Sequence, residues 1–314
     1  MDNLIFSLNT VLPIFFLIMI GYALQRMGIL SDEFRAKTSK LVFYVALPAN
    51  LFRSVANSDL MSGLNLKFVL FAWASTLVVF FGAWLLTVLV IKDRSQRSAV
   101  VHGSFRGNFA YVGLAVAQNL LQTDVLIACV MVIAFVVPLY NVLAIIVLSY
   151  YDPKGGKVSV KKIVTDILKN PLIIGILIAI PFSLLQIPIP YMFDKTLSYL
   201  AQLATPLALL LIGANLRPET FRKKPKGILL SSTIKIVLAP LFGTLAAYAL
   251  GFRGEELITI FIMHGVPSAA NSYIMTVQMG GDAEIGAGIV MATSLASTLT
   301  MAVAVFLFRS LGLV

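Results

Sequence analysis

Charged residues are scarce in this sequence. Aspartate, glutamate, lysine and arginine make up 12% of its 314 residues, about half the share found in a typical soluble domain. Hydrophobic residues make up 59%, and the mean hydropathy is +0.93. A water-soluble globule of this composition would expose a large apolar surface, so a soluble fold is excluded. We therefore expect an all-α integral membrane protein.

Residue types that carry chemistry are also scarce. The single cysteine, Cys129, excludes a disulfide framework and a thiolate metal site. All fourteen aspartates and glutamates fall in loops, at the termini or at predicted helix ends. An intramembrane enzyme would need a nucleophile with a base, paired carboxylates or a metal cluster. The sequence thus predicts no enzyme, metal site or cofactor, and it disfavours proton antiport through a buried carboxylate.

The remaining charges separate uncharged runs, and a helix of about 20 apolar residues crosses a bilayer. Ten runs result, covering residues 3–25, 41–52, 68–91, 107–123, 125–151, 170–193, 196–216, 236–252, 257–281 and 285–308. Three of them are short, two because Arg106 and Lys235 interrupt them. Basic side chains can reach the headgroups from such positions. The prediction is ten transmembrane helices, the first of which is not a cleavable signal because no basic segment precedes it.

Lysine and arginine are distributed unevenly between the predicted loops. The loops after odd-numbered helices (26–40, 92–97, 154–169 and 217–226) hold 17 of them, and the opposite loops hold five. By the positive-inside rule, the basic loops face the cytoplasm and both termini face the outside of the plasma membrane. These loops account for the net charge of +10. Basic residues interleaved with aromatic ones are missing, so no nucleic-acid partner is expected.

A weak internal repeat appears when the sequence is shifted by 158 residues. The shift aligns four residues, Pro13, Pro48, Gly107 and Asp124, with Pro171, Pro206, Gly265 and Asp282. It divides the chain into residues 1–157 and 158–314, each predicted to hold five helices. Because five is odd, the second unit would enter the membrane upside down. Such five-plus-five inverted repeats are typical of secondary transporters, which bind substrate near the midplane between interrupted helices.

Glycine and proline predict that the fourth and ninth helices are the interrupted ones. The break residues are Gly107 and Gly113 in the fourth, and Gly265 and Pro267 in the ninth. A half-helix that starts after a break offers unpaired N–H groups and a partial positive charge to a carboxylate. Nearby amides and hydroxyls would add neutral hydrogen bonds.

Four basic side chains, Arg106, Lys235, His102 and His264, lie within the predicted helices. Ionisable groups inside a membrane are functional candidates, and this set suits an anionic substrate. We regard the four as candidates for an electrostatic or coupling role. The alternatives are that Arg106 and Lys235 reach the headgroups, and that the histidines only hydrogen-bond between helices.

Four motifs with glycine, proline or asparagine follow one another along the chain: LVFYVALPANLF (41–52), GNFAYVGLAV (107–116), ILKNPLIIGILI (167–178) and HGVPSAANSY (264–273). In this order they resemble the second, fourth, sixth and ninth helices of the auxin efflux carrier family. The resemblance covers the whole chain and is that of a compact bacterial-type member of the bile-acid, arsenite and auxin transporter superfamily. It implies broken helices four and nine that cross, a scaffold of helices 1, 2, 6 and 7, a moving core of helices 3–5 and 8–10, and a homodimer.

The resemblance also implies export of organic acids. The expected function is secondary transport of a small organic anion such as a carboxylate by alternating access. The residues nominated for substrate contact are Asn50, Asn108, Phe109, Tyr111, Pro267, Ser268 and Asn271. Two departures from the plant members, Gly107 in place of a proline and Leu172 in place of an asparagine, make malonate or malate at least as suitable as auxin. A sodium-coupled symporter of the bile-acid type and a channel remain alternatives.

Overall fold

The computed structural model describes residues 13, 16–57, 65–113, 116–117, 127–152, 160–215, 221–222 and 224–310, which form helices and no strands. The first half contains α1 (Phe16–Arg26), α2 (Asp32–Leu41), π1 (Val42–Ala46), α3 (Leu47–Ala56), α4 (Leu66–Val90), α5 (Arg94–Phe105), π2 (Phe109–Gly113), α6 (Ile127–Met131), π3 (Val132–Val136) and α7 (Val137–Tyr150). The second half contains α8 (Val160–Lys169), α9 (Pro171–Leu184), α10 (Tyr191–Gln202), α11 (Ala204–Asn215), α12 (Pro225–Thr233), π4 (Ile234–Leu238), α13 (Ala239–Ala249), α14 (Gly254–Gly265), α15 (Ala270–Gln278) and α16 (Ala283–Ser310).

Within the described ranges, five helical stretches are long and apolar enough to cross a membrane. They are Leu66–Val90, Ile127–Tyr150, Tyr191–Ala214, Pro225–Ala249 and Ala283–Met301. They coincide with the predicted third, fifth, seventh, eighth and tenth helices, and the shorter apolar helices α1 and α9 lie in the first and sixth. The all-helical membrane class is thereby confirmed. The count of ten helices and the inverted repeat stay predictions.

Polar residues at the sequence boundaries of the apolar runs start several helices. The side chain of Asn65 accepts a hydrogen bond from Phe68 at the start of α4, and Asp93 accepts one from Ser95 at the start of α5. Asn170 accepts from Leu172 at the start of α9. These side chains satisfy first-turn N–H groups that have no helical partner.

Three wide helical turns precede prolines. The segments π1, π3 and π4 end two residues before Pro48, Pro138 and Pro240. A proline lacks an N–H group, and its ring clashes with the carbonyl four residues earlier, so a wider turn accommodates it. In π1, the Leu47 N–H donates to the carbonyl of Val42, five residues back. The segments π3 and π4 border the site described below.

Glycines allow close approach of α1 and α11. A Cβ atom on Gly21 would lie 2.1 Å from the carbonyl oxygen of Leu210, and one on Gly213 would lie 1.8 Å from that of Ile18. Small residues at such contacts let helix backbones pack closely in lipid. Elsewhere α3 packs against α9 and α10, with an ion pair between Arg53 and Asp194 at 2.8 Å.

Candidate functional site

Two interrupted helices meet at one point in the structure. The helix α5 ends at Phe105 and π2 begins at Phe109, while α14 ends at Gly265 and α15 begins at Ala270. The two extended segments pair antiparallel through a bridge between Gly107 and Ser268. The N–H of Asn108 donates to the carbonyl of Pro267 at 2.8 Å, and the N–H of Ala269 donates to that of Arg106 at 3.1 Å. We call residues 106–109 and 266–269 the junction.

The predicted break residues occupy different places around the junction. Gly107 and Pro267 lie in it, whereas Gly265 is the last residue of α14 and Gly113 is the last residue of π2. A Cβ atom on Gly107 would lie 2.8 to 2.9 Å from Val266, Lys235 and Met263. Glycine therefore fits this position, where a side chain would contact these three residues too closely. The bridge partner of Gly107 is Ser268.

A narrow cavity lies between the junction and the helices α3, α7 and α9. Four of the residues nominated for substrate contact line it, namely Asn50, Asn108, Phe109 and Asn271. Arg106 also lines it, together with Ser54, Pro138 and Tyr140. The cavity offers about 30 Å³ to the centres of water molecules, enough for about two of them. Among the described residues that line it, the polar side chains carry amides, hydroxyls and one guanidinium, and none carries a carboxylate.

Two other nominated residues, Ser268 and Pro267, are not among the residues that line this cavity. The hydroxyl of Ser268 donates to the carbonyl of Gly103 at 2.6 Å, and the Ser268 N–H donates to Thr293 at 3.1 Å. Ser268 therefore fastens the junction to α5 and α16. Pro267 contributes its carbonyl oxygen to the junction. The side chain of Tyr111 lies outside the part of the chain that the structure describes.

Two basic side chains are buried at the junction. Arg106 is 3% exposed, and its guanidinium donates to Asn141 Oδ1 at 2.8 Å and to Met275 Sδ at 2.7 Å. Lys235, on π4, is fully buried, and its Nζ donates to the carbonyl of His264 at 2.6 Å. The interpretation that these side chains reach the headgroups is wrong, because both hydrogen-bond to groups inside the helix bundle.

Comparison with known proteins shows the family to which the chain belongs. The model of the membrane transport protein family matches residues 6–305. The chain belongs to this family, the auxin efflux carriers. The two interrupted helices, the residues that line the cavity and both buried cations lie within the matched region.

Curated relatives match over nearly their full length. An uncharacterized transporter of Methanocaldococcus jannaschii is 25% identical over 304 residues, which cover 94% of this chain and 96% of that protein. A protein of Rhizobium meliloti named "Putative malonate transporter" is 25% identical over 306 residues, covering 96% and 95%. The uncharacterized transporter YfdV of Escherichia coli is 25% identical over 281 residues, covering 87% and 88%.

Both histidines form hydrogen bonds with side chains on neighbouring helices. His102 Nδ1 lies 3.2 Å from the hydroxyl of Thr276 on α15, and His264 Nε2 lies 3.0 Å from the hydroxyl of Ser75 on α4. This is the plainer of the two interpretations given to them. Neither belongs to a group of three or more metal-ligating side chains within the described residues.

Sequence reasoning missed two contacts of Arg106. Asn141 accepts the hydrogen bond from its guanidinium and donates to the carbonyl of Val137 at 3.0 Å. A fully buried asparagine three residues after Pro138 in an otherwise apolar helix was the available signal, because polar groups in lipid need partners. Met275 carried no such signal, since methionine is a common packing residue.

Proposed function

We propose that this protein is a secondary transporter that moves a small organic anion, of which malonate is the best candidate, across the plasma membrane by alternating access. The observation that carries the proposal is the cavity at the junction, which combines the buried cation Arg106 with Asn108 and Asn271 and has no carboxylate among the described residues that line it. The name of the Rhizobium relative supports the choice of malonate.

The proposed site binds a carboxylate in three ways. Arg106 supplies a positive charge, and the amides of Asn50, Asn108 and Asn271 supply hydrogen bonds around the cavity. The first turns of π2 and α15 begin at the junction, so their free N–H groups and partial positive charges favour an anion there. The cavity is too small for a three-carbon dicarboxylate, so substrate entry must widen it. Such widening is expected of a carrier that alternates between closed and open states.

The proposed architecture is the ten-helix inverted repeat with crossing helices four and nine, a scaffold and a moving core. Packing of α3 on α9 and α10 supports the scaffold, and packing of α5 on α4, α12 and α16 supports the core. The cavity lies where these two sets of helices face each other. A homodimer with both termini outside completes the proposal.

The test is malonate exchange in proteoliposomes that contain the purified protein. Wild type should exchange internal for external malonate at a rate that saturates, whereas the flux through a channel would rise linearly with malonate concentration.

Replacing Asn108 by alanine should raise the half-saturating concentration by about ten- to a hundredfold, because a hydrogen bond to a charged group contributes about 1.5 to 3 kcal/mol. Asn57→Ala, at the C-terminal end of α3 and outside the cavity, is the control. Equal affinity in wild type and Asn108→Ala would contradict the proposed site, and no exchange of malonate or malate would contradict the proposed substrates.

A further inference from the structure

Lys235 binds the carbonyl end of a helix inside the membrane. Its Nζ donates to the carbonyl of His264 at 2.6 Å and lies 3.4 Å from that of Met263. Both carbonyls belong to the last turn of α14, which ends at Gly265. Last-turn carbonyls have no helical N–H partner, and they form the negative end of the helix dipole. The ammonium group therefore satisfies carbonyl oxygens that the helix break leaves free.

No carboxylate neutralises this lysine in the part of the chain that the structure describes. The lysine ion pairs found there are Lys37 with Glu33, and Lys224 with Asp282 and Glu284. Lys235 instead lies against the junction, where a Cβ atom on Gly107 would come within 2.9 Å of Nζ. Its amino nitrogen is thus held in a fixed position between the two interrupted helices.

Carbonyl oxygens at helix breaks are also the groups that hold coupling cations in ion-coupled carriers. An ammonium group and Na⁺ carry the same charge, and both bind backbone carbonyls, so they compete for one position. We propose that Lys235 is a built-in cation that takes the place of a coupling Na⁺ or K⁺. The anion transport proposed above, on which this inference rests, then needs neither ion.

The first arm of the test measures stability and uses no organic substrate. Melting temperatures of detergent-purified wild type and Lys235→Met are compared in NaCl and in N-methylglucamine chloride at equal ionic strength. Wild type should melt at the same temperature in both salts. Na⁺ should raise the melting temperature of Lys235→Met by about 3 °C or more, because the freed carbonyls bind the ion. Lys92→Met, which removes an exposed lysine, should behave as wild type.

Two outcomes would overturn the inference: a wild type that Na⁺ stabilises, or a Lys235→Met variant whose melting temperature neither Na⁺ nor K⁺ changes.

The second arm measures malonate exchange by wild type with Na⁺ and K⁺ replaced by N-methylglucamine. Rates should agree within about twofold, and loss of exchange without Na⁺ would reject the built-in cation even if the variant does not fold. If malonate is not exchanged in any salt, the proposed substrate fails while the stability arm still decides the role of Lys235.

Discussion

Replacement of Arg106 by methionine tests the electrostatic basis of anion binding most directly. Arg106 is the charged residue among those that line the cavity, and it is 3% exposed. A carboxylate about 5 Å from its guanidinium would gain about 3 kcal/mol at an effective dielectric constant of about 20. The structure already holds the guanidinium in place through Asn141, so little further ordering opposes this gain. The dissociation constant for malonate should therefore rise about a hundredfold in Arg106→Met.

Stability should respond in a different way from affinity. Arg106 is a buried cation whose described partners are an amide oxygen and a thioether sulfur. Replacing an incompletely neutralised buried charge by an apolar group of similar length is often neutral or stabilising. The melting temperature of ligand-free Arg106→Met should stay within a few degrees of wild type or increase. A loss of malonate affinity would then not reflect unfolding.

The assay is calorimetric titration of malonate and of its neutral diamide into detergent-purified protein. The diamide has nearly the same shape without the charge, so its weak binding should be equal in wild type and Arg106→Met. Asn141→Leu keeps the charge but removes the partner that orients it, and it should weaken malonate binding by about tenfold. If Arg106→Met bound malonate as wild type does, or lost both ligands equally, the charge of Arg106 would not be the cause of anion binding.

Three further substitutions test the packing around the site. Gly107→Ala should destabilise the protein by about 1 to 3 kcal/mol, seen as a lower melting temperature, because backbone oxygen lies 2.9 Å from the new methyl group. Gly213→Ala should lower the melting temperature by more than Gly107→Ala does, since its methyl group would lie 1.8 Å from the carbonyl oxygen of Ile18. Gln278→Leu removes a 2.7 Å hydrogen bond between α15 and Ser39. A hydrogen bond of about 1 kcal/mol shifts the local opening equilibrium about fivefold, so amide hydrogen exchange around residue 39 should accelerate by that factor. Unchanged exchange would show that this bond does not hold the two helices together.

The membrane class and the two helix breaks were predictable from sequence for physical reasons. Lipid admits few charges, so composition alone predicts the environment of the chain. Glycine and proline interrupt helical hydrogen bonding, and both residues of the pair Gly107 and Pro267 lie in the junction. The bridge between Gly107 and Ser268 was not predictable, because the sequence does not show which residues of the two breaks face each other.

The orientation of side chains at the junction explains why some of the residues nominated from sequence do not line the cavity. Ser268 and Ala269 are neighbours in an extended segment, where successive side chains point to opposite sides. Ala269 lines the cavity, and Ser268 bonds to Gly103 behind it. Sequence cannot distinguish these two directions, because they depend on where the helix ends. The same holds for Arg106, whose partner Asn141 lies on a helix 35 residues away in sequence.

The charges at the junction account for the preference that we propose for an anion. The carbonyl end of α14 is neutralised by Lys235, while the N–H ends of π2 and α15 have no aspartate or glutamate among the residues that line the cavity. Arg106 adds a further positive charge on the same side. The N-terminal helix ends and the cation around the cavity create a positive electrostatic potential there, which a bound anion neutralises. A neutral or cationic substrate would leave that potential uncompensated, which is why carboxylates and not amines should bind here.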